Sequence, residues 1–292
     1  MTAFLTEPAP EAAQPPVQVE AEVVGRRQVG AYVELTLAAP EIAGRSAPGQ
    51  FVAFAVGGPL SAALLRRSIA IAGAGDGRVS VVVAPHGVGS TWLTGLRPGE
   101  TVDVVGPLGR PFPLPPRGVP ALLVGGGYGA AALVGLAAAL RNAGSPVLAV
   151  CGAATADRLS SVEELSAFGE VVVTTDDGSA GQQGWVTDAV GQVLGQVGAV
   201  YACGPMGMLR AVAEAATAAG LPSYVAVEEA MACGIGVCMT CVLPVVGVDG
   251  RTRFSRSCTE GPVFGGDRVR FGDVGRLTAD VLGADAMGVL PA

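Results

Sequence analysis

Two hydrophobic periodicities divide the chain. From about residue 18 to 108, apolar and polar positions alternate in short runs, QVEAEVVGRRQVG, AYVELTLAAP, GQFVAFAVGG, RVSVVVAP and ETVDVVGPLG, each closed by glycine or proline. A period of two with turn residues at this spacing predicts half-buried strands folded into a small antiparallel barrel or sandwich. RPFPLPPRGVP follows, with five prolines in eleven residues, and reads as a joint between domains. After residue 120 strand-like and helix-like runs alternate: ALLVGGG before an Ala-rich helix, PVLAVCGAA before a helix near SSVEELSAFG, EVVVTTDDG before one at VTDAVGQVLGQ, and AVYACGP before MLRAVAEAATAAG. Such alternation implies a parallel sheet with helices on its faces.

The predicted architecture is therefore multidomain, β followed by α/β. It comprises a disordered lead-in over 1–17, an antiparallel β-barrel over 18–114, and a Rossmann-like parallel α/β nucleotide domain over 115–224. A small cysteine-bearing module over 225–272 and a tail over 273–292 without a legible motif complete it. Residues 118–140, GVPALLVGGGYGAAALVGLAAAL, are uncharged and long enough to span a bilayer. The glycines split them into a strand-like and a helix-like half, so a buried βα unit is the expectation.

Composition narrows the chemistry. The net charge of −7 argues against nucleic acid, whose phosphates call for a basic surface. All 18 basic residues are arginine and His86 is the single histidine, which excludes lysine Schiff bases, Walker-type lysines and multi-histidine metal sites. A borrowed cofactor follows, with no side chain assigned as catalytic acid or base, and His86 is read as incidental or cofactor-adjacent. The first residues, MTAFLTEPAPEAAQPPVQ, lack the basic and apolar regions of a secretory signal, so a cytoplasmic protein is expected. Its six cysteines then suggest metal or redox work more than disulfides.

Four of the six are patterned. Cys233-x4-Cys238-x2-Cys241, followed after sixteen intervening residues by Cys258, has the spacing of plant-type 2Fe-2S ligation. Gly234 and Gly236 let the loop wrap closely and aim amides at sulfur. A structural zinc site is the other reading that four cysteines allow, although zinc ribbons favour two CxxC pairs. Cys151 and Cys203 sit at predicted strand ends and are not ligand candidates.

Two small-residue turns end predicted strands: Gly125-Gly126-Gly127-Tyr128-Gly129-Ala130, which satisfies G-x-G-x-x-G/A, and Cys203-Gly204-Pro205-Met206. Ligands of open α/β sheets bind at such ends, so together the turns predict a nucleotide site, where either alone would be structural. The acidic ribose partner is not evident, CGAATADR offering only Asp157. In the barrel half, Arg66-Arg67-Ser68-Ile69-Ala70-Ile71 begins a strand, and Gly87-Val88-Gly89-Ser90-Thr91 enters a helix. Arginines with N–H and hydroxyl donors suit a pyrophosphate; a solvated arginine pair is the bland alternative.

LLRRSIAI, HGVGSTWL, VGPLGRPF, LLVGGGYGAAAL, TTDDGSAGQQGWVTD, YACGPMGML and VEEAMACGIGVCMTCVLP with SCTEGPVF stand in an order that resembles the ferredoxin–NADP reductase superfamily. Within it, the chain is most similar to the electron-transfer subunits of two-subunit, NAD-linked dihydroorotate dehydrogenases, over roughly residues 18–270. The resemblance implies a 2Fe-2S cluster on Cys233, Cys238, Cys241 and Cys258. It implies FAD on the strand Arg67, Ser68, Ile69, Ala70, on the backbone of Val82, Val83 and Ala84, and on the phosphate turn Gly89-Ser90. NAD would lie over Gly125, Gly127, Ala130, Cys203, Gly204, Pro205 and Met206. Ser68 stands where the family has proline and Ala70 where it has serine, which removes one hydroxyl from the flavin strand. The partner implied is an FMN-containing dihydroorotate dehydrogenase catalytic subunit in a hetero-oligomer. A reductase subunit of the same architecture for another acceptor (a hydrogenase, a sulfite reductase or a ferredoxin) and a non-catalytic zinc-stabilised interaction module are the alternatives.

Overall fold

Strand β1 (Val17–Val29) shows the alternation that builds the first domain: Ala21 and Val23 point inward and are fully buried, while their neighbours face water. It pairs antiparallel with β2 (Tyr32–Ala38) on one side and β6 (Thr101–Leu108) on the other. With β3 (Phe51–Phe54), β4 (Arg67–Gly75) and β5 (Arg78–Val83) these close a barrel in the order β1-β2-β5-β4-β3-β6. Closure leaves no free edge, and the interior is filled by Leu35, Leu37, Phe54, Val81 and Val104. A short helix α1 (Pro40–Ala43) adds Ile42 to this core, and α2 (Val88–Thr94) adds Leu93. The structure, a computed structural model, describes residues 15–58 and 61–287. The expected lead-in lies outside the described residues as far as position 14, and Val17 already belongs to β1.

The second domain is a seven-stranded sheet. Strands β7 (Ala121–Gly126), β8 (Val147–Ala153), β9 (Gly169–Thr175), β10 (Gln182–Gln183), β11 (Ala199–Cys203) and β12 (Ser223–Ala226) run parallel. Along β7, Ala121 and Leu123 face helices α3 (Val134–Asn142) and α4 (Val162–Ser166), whereas Leu122 and Val124 face α5 (Val186–Val193) and α6 (Met206–Ala218). Burial on both faces explains why these strands read as continuous apolar runs. With β15 (Val263–Gly265) as the seventh strand, the order β10-β9-β8-β7-β11-β12-β15 reverses at β7, so its carboxyl end and that of β11 flank the switch point where open α/β sheets bind ligands.

Downstream, β13 (Val242–Val246) and β14 (Thr252–Arg256) form a hairpin, and β15 (Val263–Gly265) returns to pair antiparallel with β12. The cysteine-bearing segment therefore hangs between the last parallel strand and an antiparallel addition to the same sheet. The tail, in which no motif was legible, packs on this hairpin: Val281 and Ala284 are buried, and the Leu282 amide donates to Thr252 O at 2.9 Å. Arg270 draws in Asp273 at 2.6 Å and also pairs with Asp280. The uncharged stretch 118–140 resolves into β7, a 3-10 turn over Gly127–Leu133, and α3. Among the described residues no helix is long and apolar enough to cross a membrane.

Candidate functional site

The two glycine-bearing turns meet at the switch point. Cys203 pairs with Gly125 across β11 and β7, and the chains leave the sheet in contact: a Cβ on Gly129 would lie 2.6 Å from Cys203 O and 2.9 Å from Gly204 Cα. Backbone approach of this kind admits only glycine. Ala130 packs under Gly125, while Pro205 and Met206 start α6 directly behind. The sequence expectation of an α-helix opening at the glycines is corrected in detail, because the first turn there is 3-10 and the α-helix begins at Val134. Gly127 is held from the side, its carbonyl accepting from Ser160 Oγ at 2.9 Å.

Two residues at this junction escaped the sequence reading. Tyr128, within the first turn, donates to the Glu228 carboxylate just beyond β12, and it meets Tyr32 of the barrel edge-on with ring centroids 5.6 Å apart. Burial, then the Glu228 carboxylate, push the Tyr128 hydroxyl well above the usual tyrosine range. Burial pushes the Cys203 thiol up to about 12 in the same corner, with Glu228 adding to it. Glu228 lies 100 positions from Tyr128, so no local pattern could pair them. The barrel is further fixed to the sheet by the Ala31 amide on Asp157 O at 2.7 Å and by the Tyr32 hydroxyl on Arg158 O at 3.0 Å.

In the barrel, the predicted flavin strand is β4. Ser68, Ile69 and Ala70 stand opposite Ala53, Val52 and Phe51, and Val82 and Val83 continue the neighbouring β5 into Ala84. The two arginines divide. Arg66 does not face a phosphate site as the sequence suggested: its Nη1 pairs with Asp103 Oδ1 at 2.7 Å and reaches the carbonyls of Ala53 and Asp103 at 3.3 Å, stitching β4 to β3 and β6. The hydrogen bond from the Arg66 guanidinium holds the Asp103 carboxyl below its ordinary range. Arg67 lies over the start of α2, so close that a Cβ on Gly89 would be 2.4 Å from its Nε. The Ser90 hydroxyl, expected as a free phosphate donor, instead closes the turn, accepting from the His86 and Gly87 amides at 2.9 and 3.0 Å and donating to Gly87 O at 3.2 Å. His86 is exposed and contributes its backbone only to that cap.

The cysteine loop lies against the same barrel. Cys241 and Cys258 are buried with Phe51, Ala53 and Leu108, and a Cβ on Gly234 would touch Ser68 Oγ at 3.4 Å. The predicted cluster loop thus packs on β3, the strand paired with the predicted flavin strand, and a methyl added at Gly234 would reach Ser68 of that flavin strand. Gly234 and Gly236, at φ +72° and +84°, curl the loop so that the amides of Ile235 and Val237 both point at Cys233 Sγ, each at 3.4 Å. Cys238 is within hydrogen-bonding reach of Cys233, and bonds from Thr240 and then Cys233 bring its thiol down to about 6. Cys258 is within reach of Cys241, and burial first, Cys241 next, push it up to about 12. Among the described residues no three histidine, cysteine or carboxylate side chains converge on a single-ion position. Four cysteines in one segment, with two amides aimed at the Cys233 sulfur, are a donor set that a two-iron cluster takes as two thiolates per iron. Cys151, buried within β8, stands apart.

Comparison with known proteins agrees with this geometry. The chain aligns with a solved structure of the NADH-dependent reduced ferredoxin–NADP oxidoreductase at a TM-score of 0.77 and 30% identity, covering 88% of this chain and 91% of that one. A ferredoxin reductase of carbazole 1,9a-dioxygenase aligns at 0.61 and 26%, covering 72% and 68%. Barrel, nucleotide sheet and cysteine loop together define a redox subunit of the ferredoxin reductase class. Residues 228–270 match the iron–sulfur cluster binding domain of dihydroorotate dehydrogenase B. The electron transfer subunit of dihydroorotate dehydrogenase B (NAD(+)) from Geobacillus thermodenitrificans is 41% identical over 247 residues, covering 83% of this chain and 94% of its own. That from Listeria monocytogenes (strain EGD-e) is 35% identical over 259 residues, 87% and 99% covered. The chain belongs to the family of dihydroorotate dehydrogenase B electron transfer subunits.

Proposed function

We propose that this protein is the electron-transfer subunit of an NAD-linked dihydroorotate dehydrogenase, serving pyrimidine biosynthesis in the cytoplasm. It takes electrons from an FMN-containing catalytic subunit and delivers them to NAD+. The observation that carries the reading is the packing of Cys241 and Cys258 on Phe51 and Ala53 of β3, the strand paired with β4, which sets the cluster-binding and flavin-binding residues side by side. When bound, the cluster would carry single electrons and the FAD would convert them to a hydride for NAD+.

The chain's own residues hold and orient. Cys233, Cys238, Cys241 and Cys258 supply thiolates, and the Ile235 and Val237 amides stabilise negative charge on sulfur. Arg67, beside Gly89 in the first turn of α2, would hold the FAD pyrophosphate, Ser90 keeps that turn rigid, and Ser68, Ile69 and Ala70 with Val82, Val83 and Ala84 would line the flavin site. Gly125, Gly127 and Ala130 with Cys203, Gly204, Pro205 and Met206 offer NAD a surface without side-chain bulk. Ile235, Val237 and Met239 of the cysteine loop are exposed by 52%, 76% and 51%. An apolar face at the cluster loop supports docking of the catalytic subunit there, in a hetero-oligomer.

A related reductase subunit for another acceptor is the second reading, favoured by the 30% identity to the NADH-dependent reduced ferredoxin–NADP oxidoreductase chain; the higher identity to the dihydroorotate dehydrogenase subunits favours the first. The test is composition and spectrum of anaerobically purified protein. Flavin bands with two irons, two sulfides and one FAD per chain are expected; zinc without flavin would contradict the reading and leave the interaction-module alternative.

A further inference from the structure

Four buried hydroxyls find no hydrogen-bond partner among the described residues: Ser145, Thr174, Ser223 and Thr259. Native structures rarely leave such groups unpaired. The first three belong to the nucleotide sheet and its turns; Thr259 belongs to the cysteine loop, immediately after Cys258. Its side chain rests on the opposite limb of that loop, where a Cβ on Gly236 would lie 2.7 Å from Thr259 Cγ2 and 3.5 Å from Oγ1. Gly236 sits between the two amides that point at Cys233 Sγ, and its own N–H faces the Cys258 sulfur. Its carbonyl is already taken by Arg256 Nη1 at 3.0 Å. The Thr259 hydroxyl therefore lies dry and unpaired where donors to two of the sulfurs converge.

We propose that Thr259 donates its hydroxyl proton in a hydrogen bond to a sulfur of the bound iron–sulfur centre, and that this bond raises the centre's reduction potential. The inference rests on the cluster reading above. Uptake of one electron increases negative charge on sulfur, so a donor bond is stronger to the reduced form and favours it. The three backbone amides of the loop are fixed by the fold in any sequence, whereas this donor is a side chain that one substitution removes.

The test is an electron-paramagnetic-resonance redox titration, with dithionite and mediators, of the anaerobically purified full chain as wild type, Thr259→Val and Thr259→Ser. A hydrogen bond to a charged acceptor corresponds to about tenfold in an equilibrium. Thr259→Val is expected to lower the reduced-to-oxidised ratio about tenfold at the poise that half-reduces wild type, a downward shift of about 59 mV for one electron. Thr259→Ser, which keeps the hydroxyl, stays near wild type. If Thr259→Val loses iron, Thr259→Ala carries the same expectation. A wild-type midpoint in the hydroxyl-free variant, or equal shifts in the valine and serine variants, overturns the proposal while leaving the cluster reading intact. Wild-type protein without iron and sulfide overturns both, and iron analysis reports that before any titration.

Discussion

Arg66 and Arg67 are adjacent in the sequence and are predicted to fail in different ways. Arg67→Ala removes the guanidinium that overlies Gly89 at the start of α2. Charge-assisted hydrogen bonds of this type contribute about 1.5–3 kcal/mol, so FAD affinity is expected to fall by about 10- to 150-fold at 1.36 kcal/mol per decade. Arg66→Ala instead removes the pair with Asp103, whose side chains are 26% and 27% exposed. Partly exposed pairs contribute about 0–1 kcal/mol, and the expected cost is a melting temperature lower by at most about 2–4 °C with little change in FAD affinity. Titration of FAD into deflavinated protein, followed by calorimetry, with a thermal melt of each variant, measures both quantities. FAD affinity unchanged in Arg67→Ala, or lost equally in both variants, would refute the division of labour drawn from the structure.

Other perturbations address the remaining parts. Each of Cys233→Ser, Cys238→Ser, Cys241→Ser and Cys258→Ser is expected to abolish the visible iron–sulfur absorption, whereas Cys151→Ala keeps two irons and two sulfides per chain. Gly129→Ala drives a methyl to within 2.6 Å of Cys203 O; overpacking of this size costs about 1–3 kcal/mol, and KM for NAD+ rises while the cluster spectrum stays constant. The Asp103 carboxyl is depressed in the folded state, so its pairing contributes stability above the unfolded carboxyl's pKa of about 3.9 and loses it as pH falls through the lower folded value. The stability difference between wild type and Arg66→Ala, from urea melts, should be constant above about pH 5 and close toward acid; a gap that persists at acid pH would refute that assignment.

Much of the fold was legible because periodicity reports burial. Strands β1, β2, β3, β5 and β6 alternate or bury their apolar runs, and the βα units follow from strands buried on both faces. The cysteine spacing was equally local. What escaped depended on distant contacts. Arg66 looks like Arg67 until Asp103, 37 positions away, claims it. The Ser90 hydroxyl cannot be known to close its own turn before the loop has a shape. Gly129 looks like part of a phosphate fingerprint, yet the approach of Cys203 and Gly204 from another strand already requires it. Tyr128 and Glu228, which join the first glycine-bearing turn to the cysteine-bearing segment, were invisible for the same reason.

The most direct test of the central claim is to combine the holo-protein with an FMN-containing dihydroorotate dehydrogenase catalytic subunit, purify the complex, and follow NADH formation on adding dihydroorotate. The account predicts orotate and NADH in equal amounts, with no NADH when this chain is omitted or carries Cys258→Ser. A chain that holds both FAD and iron but forms no complex, or a complex that makes orotate without reducing NAD+, would contradict it.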